Sequence, residues 1–522
     1  MAQVTDAPAL TRPRFTRVAR ASLLIAFFFA VDKALGLLRQ VVIGRQFGVS
    51  AELDAFNAAN NLPDLLFALI SGGALAIAFI PVLSESLEHE GRGAAWALFS
   101  RVANLAFLCT AAAAVVIALF AGPIVRAELG VAPGFTPALQ TLVVDLMRLN
   151  LVATLIFSLS GLVIAGLQSN QHFLLPALAP AVYDVGQIFG ALVLAPSEGL
   201  RLGPLALPAA GMGVHGLVYG VILGAALHLA VQIPGLIRYG FRWTPRLDWG
   251  HPGVRKVVRL MGPRILTIGA FQLIFVVQDN LASRLSVGSV TALTYGWLIM
   301  QVPESLIGTA IATALLPTIS EHFVRGDDAA FETALARATR VMLALTIPIA
   351  VILGTVLRPL VAAAFGFDSR GTDLVVWASR AYLVGLVGHS LLEVAARGFY
   401  ARQNARLPMA AAALGVAVFA LLSLVLYRPL QADGIALSNS LAFTAEAVFL
   451  LVLLGRGFPA ILRQGRPVVR AAVGAALGGA AAFVVLAASP AGSLVTGILA
   501  MAAGTAVSVP FIWPELRELR SL

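Results

Sequence analysis

Apolar residues run through this chain in long stretches, with polar residues confined to the joints or to narrow stripes inside the stretches. Such runs lie near 20–46, 52–83, 92–120, 136–168, 173–196, 211–238, 253–282, 288–320, 330–356, 372–401, 406–427, 432–455, 467–488 and 491–513. Each is close to or beyond the roughly 20 residues that a helix needs to cross a bilayer core. The pattern predicts an all-α polytopic membrane protein of about fourteen transmembrane helices. Ala- and Gly-rich runs at 111–118, 471–482 and 497–507 suit close helix packing in lipid.

Four spans carry phased polar residues. In the first, Asp32, Lys33, Gly36, Arg39 and Gln40 occupy an arc of about 120° at about 100° per residue. In the second, Asp54, Asn57, Asn61 and Asp64 recur at helical spacing, flanked by Asn60, and Pro63 and Ser71-Gly72-Gly73 are expected bends. The seventh carries Gln272, Gln278, Asp279 and Asn280, with Gln272 and Asp279 on one face. The eighth carries Thr291, Thr294, Tyr295, Gln301 and Glu304. A charge at mid-bilayer costs about 2.5–3.5 kcal/mol on insertion scales, so these stripes predict a wet, mostly basic chamber between spans one, two, seven and eight. Asp145 with Arg148, His389 with Glu393, and Glu446 read as packing groups.

The pattern also repeats. Ile80-Pro81-Val82-Leu83-Ser84-Glu85 closes the second span, and Leu316-Pro317-Thr318-Ile319-Ser320-Glu321 closes the eighth, 236 residues later. Gly166 and Pro176 recur as Gly398 and Pro408 at an offset of 232. Matches six spans apart predict two pseudo-symmetric six-helix lobes, as in transporters whose site lies between lobes. The expected organisation is a tail at 1–19, an N-lobe at 20–238, a basic linker at 239–252, a C-lobe at 253–455, and two further helices with the C-terminus at 456–522.

Composition agrees with lipid as the solvent. The 522 residues are 59% hydrophobic and 12% charged, with a mean hydropathy of +0.89; soluble chains carry about twice that charge. The net charge of +10 concentrates at Arg12, Arg14, Arg17 and Arg20, at 238–259, at 456–470, and at Arg517 and Arg520. All fall on one side if the span count is even. Basic loops face the cytoplasm, so both termini are expected there, and the charge implies anionic lipid rather than nucleic acid. The first run lacks a cleavage site and reads as a retained helix. Cys109 is alone, which leaves no internal disulfide or cysteine metal site. Nucleotide, zinc-protease and serine-hydrolase motifs are missing. No enzyme activity, cofactor or metal is therefore expected.

Residues 35–48 (LGLLRQVVIGRQFG), Ala51 to Phe56, Asn61-Leu62-Pro63-Asp64-Leu65-Leu66 and 78–85 (AFIPVLSE) resemble the lipid II flippase family, MurJ/MviN, of the multidrug/oligosaccharidyl-lipid/polysaccharide exporter superfamily. The likeness continues at 258–263, 315–320 and 398–403. It implies a fourteen-helix flippase of the bacterial plasma membrane that moves undecaprenyl-pyrophosphate-linked peptidoglycan precursor, or a related polyprenyl-linked glycan, by alternating access. It implies a lipid-tail groove at the last two helices. It also implies a cationic cavity whose family residues fall at Lys33, Arg39, Asp54 and Thr291, with Asp32, Gln40, Asn57, Asn61, Gln272 and Asp279 lining it or sensing ions. Arg39→Ala is expected to abolish transport and Lys33→Ala to weaken it. Drive is expected from membrane potential or an ion gradient, without ATP, and a single chain should suffice.

The match breaks at four positions. Phe67 and Leu298 stand where the family has arginine, and Gly72 and Gln301 where it has acidic residues. Two lost charged contacts at ~1.5–3 kcal/mol each would weaken head-group binding unless Arg264 or Arg284 compensates. Two other functions follow from the same pattern: an ion-coupled exporter of small cationic molecules, and a non-transporting scaffold for envelope assembly.

Overall fold

Lipid offers no partner to a free N–H or C=O, so a spanning chain must close its hydrogen bonds within helices. A computed structural model describes residues 17–72, 74–199, 201–202, 205–489 and 493–519, and they fold that way. Arg12, Arg14 and Arg520 lie outside the described residues. The first half comprises α1 (Arg17–Phe47), α2 (Ala51–Leu66), a π-helical segment (Phe67–Gly72) leading to α3 (Ala74–His89), α4 (Gly91–Arg126), α5 (Pro137–Ser169), α6 (Leu174–Phe189), α7 (Val214–Ala230) and α8 (Ile233–Arg238). The second comprises α9 (Pro252–Ala282), α10 (Ser289–Pro303), a π-helical segment (Glu304–Thr309), α11 (Ala310–Val324), α12 (Asp328–Phe365), α13 (Ser369–Val384), α14 (Leu386–Ala401) and α15 (Arg406–Gly455). The chain closes with α16 (Gly465–Ala488) and α17 (Leu494–Glu518).

Among the described residues nine helices are long and apolar enough to cross a membrane, or ten with bent α13–α14 counted as one. The apolar runs at 406–427 and 432–455 both lie in α15, which turns at Gln431 (φ 54°). Helix α1, the α2–α3 pair and α9, which carry polar stripes, fall outside the nine. One strand pairing interrupts the all-α pattern among the described residues: Arg201–Leu202 against Leu205–Ala206.

Pro63 does not break its helix. It stays inside α2, and the geometry widens only at Phe67. Proline removes an i→i−4 donor, and a π turn is one way for a helix to shift register near such a gap. Pro303 stands directly before the second π segment, 237 residues after the first. The loops match as well: Gln171 (φ 58°) and Gln403 (φ 55°), 232 residues apart, both take the left-handed conformation.

Packing falls into two sets. Helix α5 touches α2, α3, α4 and α7, and α6 packs on α1 and α7. In the second set α13 touches α10, α12 and α15, while α14 touches α11, α12 and α15. Helices α16 and α17 pack on each other and on α12. At the α6–α7 crossing the backbones nearly meet. A Cβ on Gly186 would lie 2.4 Å from the Gly224 Cα, so that approach requires glycine.

Candidate functional site

The cavity lies where α1, α2 and α9 face α5, α6 and α10. It measures about 360 Å³, at the small end of the roughly 300–1,000 Å³ usual for ligand sites. Arg39 enters from α1. Its Nη1 donates to Asp184 of α6 at 2.8 Å, and Asp184 is buried. The Arg39 Nε, also buried, meets no acceptor among the described residues. Asp184 thus fixes the guanidinium while other donors remain for an anion.

Amides make up much of the remaining polar wall. Gln40, Asn57, Asn61 and Gln272 line it, as expected, together with Asn60 and Gln278. Asn150 Nδ2 donates to Asn60 Oδ1 at 2.6 Å, Asn61 Nδ2 donates to Asp279 Oδ2 at 2.5 Å, and Tyr382 OH donates to Gln278 Oε1 at 2.7 Å. Asp64 and Asp279 supply carboxylates. The apolar wall includes Phe67, packed edge-on against Phe157 at 5.0 Å, and Trp297, packed edge-on against Tyr382 and His389. Phe67 therefore places a ring on the wall at a position where the resemblance leads one to expect arginine.

Four expected lining residues lie elsewhere. Asp54 is buried, and its carboxylate accepts from Gly288 N at 2.6 Å and Thr291 N at 2.7 Å. These donors are the N-cap and third residue of α10, whose own cap, Gly288, has no side chain to serve them. Thr291 is buried beside it and takes a 3.4 Å contact from Asn57 Nδ2. Both residues hold a helix end and are not part of the lining. Lys33 is 62% exposed, sits 3.7 Å from Asp32, and lies over the Phe29 ring. Asp32 and Lys33 occur about two turns along α1 from Gln40, so depth rather than angle separates them from the cavity. Among the described residues the lining then holds one guanidinium and two carboxylates, which departs from the expectation of a mostly basic chamber.

Of the two candidate compensating arginines, Arg284 does not add to this lining. Arg284 pairs with Glu128 at 2.8 Å at the end of α9; the Arg264 side chain lies outside the described residues. The packing pairs also regroup: Glu393 pairs with Arg397, and His389 Nε2 contacts Asn439 Oδ1 at 3.2 Å. Asp184, Asn150, Tyr183 and Gln187 went unread in the sequence because they form at most a single short i,i+3/i+4 group in a run that is otherwise apolar. The available signal was Asp184 alone as the carboxylate in its apolar run, since an intramembrane charge marks a site by default.

The two helix sets meet at both ends of the cavity. At the end bearing the 127–136 and 283–288 loops, Asp54 holds α10 and Arg284 holds Glu128. There Arg45 also donates to the Ala363 and Ala364 carbonyls at 2.8 and 2.9 Å, and Ser283 Oγ accepts from Gly134 N at 3.2 Å. At the arginine-rich end, Val254 and Val257 of α9 join a cluster with α3 and α4, beside the exposed ion pair Lys256–Glu85. The Lys256 ammonium holds the Glu85 carboxyl below its usual range through a charged hydrogen bond.

An apolar helical bundle enclosing a polar, charge-bearing cavity between two helix sets has the build of a membrane transporter. Comparison with known proteins specifies it further. The family described as Lipid II flippase MurJ matches residues 43–503. A curated relative from Burkholderia cenocepacia, "Lipid II flippase MurJ", is 32% identical over 445 residues, covering 84% of this chain and 83% of the relative. Among solved structures, "Lipid II flippase MurJ, inward closed conformation" superposes with a TM-score of 0.77 at 22% identity, covering 95% of this chain and 99% of that one. An inward-facing multidrug resistance MATE family transporter of the MOP superfamily shares the fold at a TM-score of 0.68 and 14% identity, covering 85% of this chain and 99% of that one. The chain belongs to the lipid II flippase MurJ family, a family of multi-pass inner-membrane transporters.

Proposed function

We propose that this chain flips lipid II, or a closely related polyprenyl-pyrophosphate glycan, across the plasma membrane by alternating access between two six-helix lobes. The observation that carries the reading is Arg39, held by Asp184 with donors to spare, in a cavity whose remaining polar wall is mainly amide. Guanidinium suits pyrophosphate oxygens. Amides offer both donors and acceptors, as a sugar–peptide head group requires. The matched π segments and matched left-handed glutamines support the two lobes. Fourteen spans would follow if the turn at Gln431 divides α15 and each π-joined or bent pair crosses once. Cytoplasmic termini follow from the arginine-rich loops, and membrane potential or an ion gradient supplies the drive. A single chain carries the cavity.

A cavity of about 360 Å³ admits only part of such a head group, so the halves must separate further to load. The arginine-rich end parts more easily. An exposed ion pair and apolar packing join it, whereas buried hydrogen bonds to backbone lock the other.

The test is complementation of a strain depleted of its own lipid II flippase. The native chain should restore growth, Arg39→Ala should not, and Arg39→Lys should restore it partly. Growth equal to native with Arg39→Ala would remove Arg39 from the site. The two carboxylates and aromatic walls give the exporter of cationic molecules some support. That function predicts dye efflux on expression without rescue of the depleted strain; a scaffold would rescue or fail without moving lipid-linked sugar in liposomes.

A further inference from the structure

A second cavity, of about 470 Å³, opens at the arginine-rich end, outside the transport cavity. Its wall holds four arginines: Arg340 from α12, Arg463 from the loop before α16, and Arg466 and Arg470 from the first turns of α16. Two of them are committed. Arg340 pairs with Glu518 at 2.8 Å, and Arg470 pairs with Glu515, a buried carboxylate of α17. Arg463 and Arg466 are exposed and make no ion pair among the described residues. The start of α16 adds to the field. Gln464 precedes it but spends its side-chain amide on the Ala336 and Ala460 carbonyls, so Gly465 opens an uncapped helix in the cavity wall.

The surroundings choose the anion. Leu462, Val469, Trp513 and Leu519 are exposed around the same helix ends, and Arg517 lies over the Trp513 ring. Exposed aliphatic residues beside an aromatic–arginine pair mark the level where acyl chains give way to head groups. A phosphate there would arrive attached to a lipid. We propose that this cavity binds the phosphodiester head group of an anionic phospholipid, with Arg463 and Arg466 as the phosphate ligands and the Arg340–Glu518 pair as a fixed wall. The bound lipid clamps α16 to α12 and to α17. This cavity shares no residue with the transport cavity.

Native mass spectrometry of the full-length chain, titrated with phosphatidylglycerol, tests the site. At about 1 kcal/mol per interfacial arginine, Arg463→Gln with Arg466→Gln should weaken binding by roughly tenfold or more. The Lys,Lys double variant should recover most of that loss. A control pair on the same face, Arg242→Gln with Arg246→Gln, should change binding less than twofold. Inorganic phosphate in excess should leave the bound lipid in place. Equal losses for both Gln pairs, no loss for the first, or displacement of the lipid by inorganic phosphate would each overturn the proposal.

Discussion

Asp184 and Asp54 are both buried carboxylates, yet they serve opposite ends of the problem. Asp184 fixes the guanidinium that faces the cavity; Asp54 takes two N–H groups at the start of α10. Asp184→Ala should leave Arg39 free to swing and buried without its partner, and complementation should fall sharply although Arg39 is intact. Asp54→Asn leaves one acceptor oxygen for two N–H donors, so one bond becomes neutral and the other is lost, and a buried N–H left without an acceptor costs about 1–3 kcal/mol. The end closed by α10 should then open more often. The readout is maleimide labelling of a cysteine at buried Ser289, roughly tenfold faster in a Cys109→Ser background. Lys33→Ala should have a small effect, because Lys33 is exposed beside Asp32 and outside the cavity. At this scale the sequence was legible where polar residues formed a helical stripe, as for Gln40, Asn57, Asn61, Gln272 and Asp279. It misplaced Lys33 because angle on a helix says nothing of depth, and it passed over Asp184 because one short group has no period.

Helices were legible for a different reason: an apolar run of membrane length has few other fates. What the runs concealed was their internal breaks. The π segments follow prolines that sit within or at the end of continuous helix, so composition shows the proline and not the turn it displaces. The α6–α7 crossing was equally hidden, since Gly186 and Gly224 meet only in three dimensions. Gly186→Leu should force these backbones apart, at the ~1–3 kcal/mol usual for overpacking or more. A lower melting temperature in detergent, with loss of the folded peak on gel filtration, is the expected outcome; a native melting curve would count against the close approach.

For the molecule as a whole, the two ends of the cavity should respond differently to conditions. Glu85 titrates below its usual range when paired with Lys256, so the pair persists above the ordinary carboxylate pKa and is lost as pH falls through the lowered folded-state value. The arginine-rich end should therefore loosen in acid, and high salt should imitate the effect because the pair is exposed. A spectroscopic label on each side of that end should report separation under both treatments, whereas Lys256→Gln should abolish the acid response. Tying the other end shut gives the converse test. Cysteines at Glu128 and Arg284, joined by a short thiol cross-linker in the Cys109→Ser background, should stop transport. A cleavable linker should restore it on reduction. Transport unchanged by complete cross-linking would exclude movement at that end.

The hold of Asp54 on α10 carries an evolutionary consequence. Its acceptor atoms reach main-chain amides, which every residue but proline supplies, so side chains along that helix can drift without loosening the grip. Position 54 itself enjoys no such latitude. Revertants of an Asp54 loss should accordingly arise at other inter-lobe contacts, such as Glu128 or Arg45, and be rare within the first turn of α10.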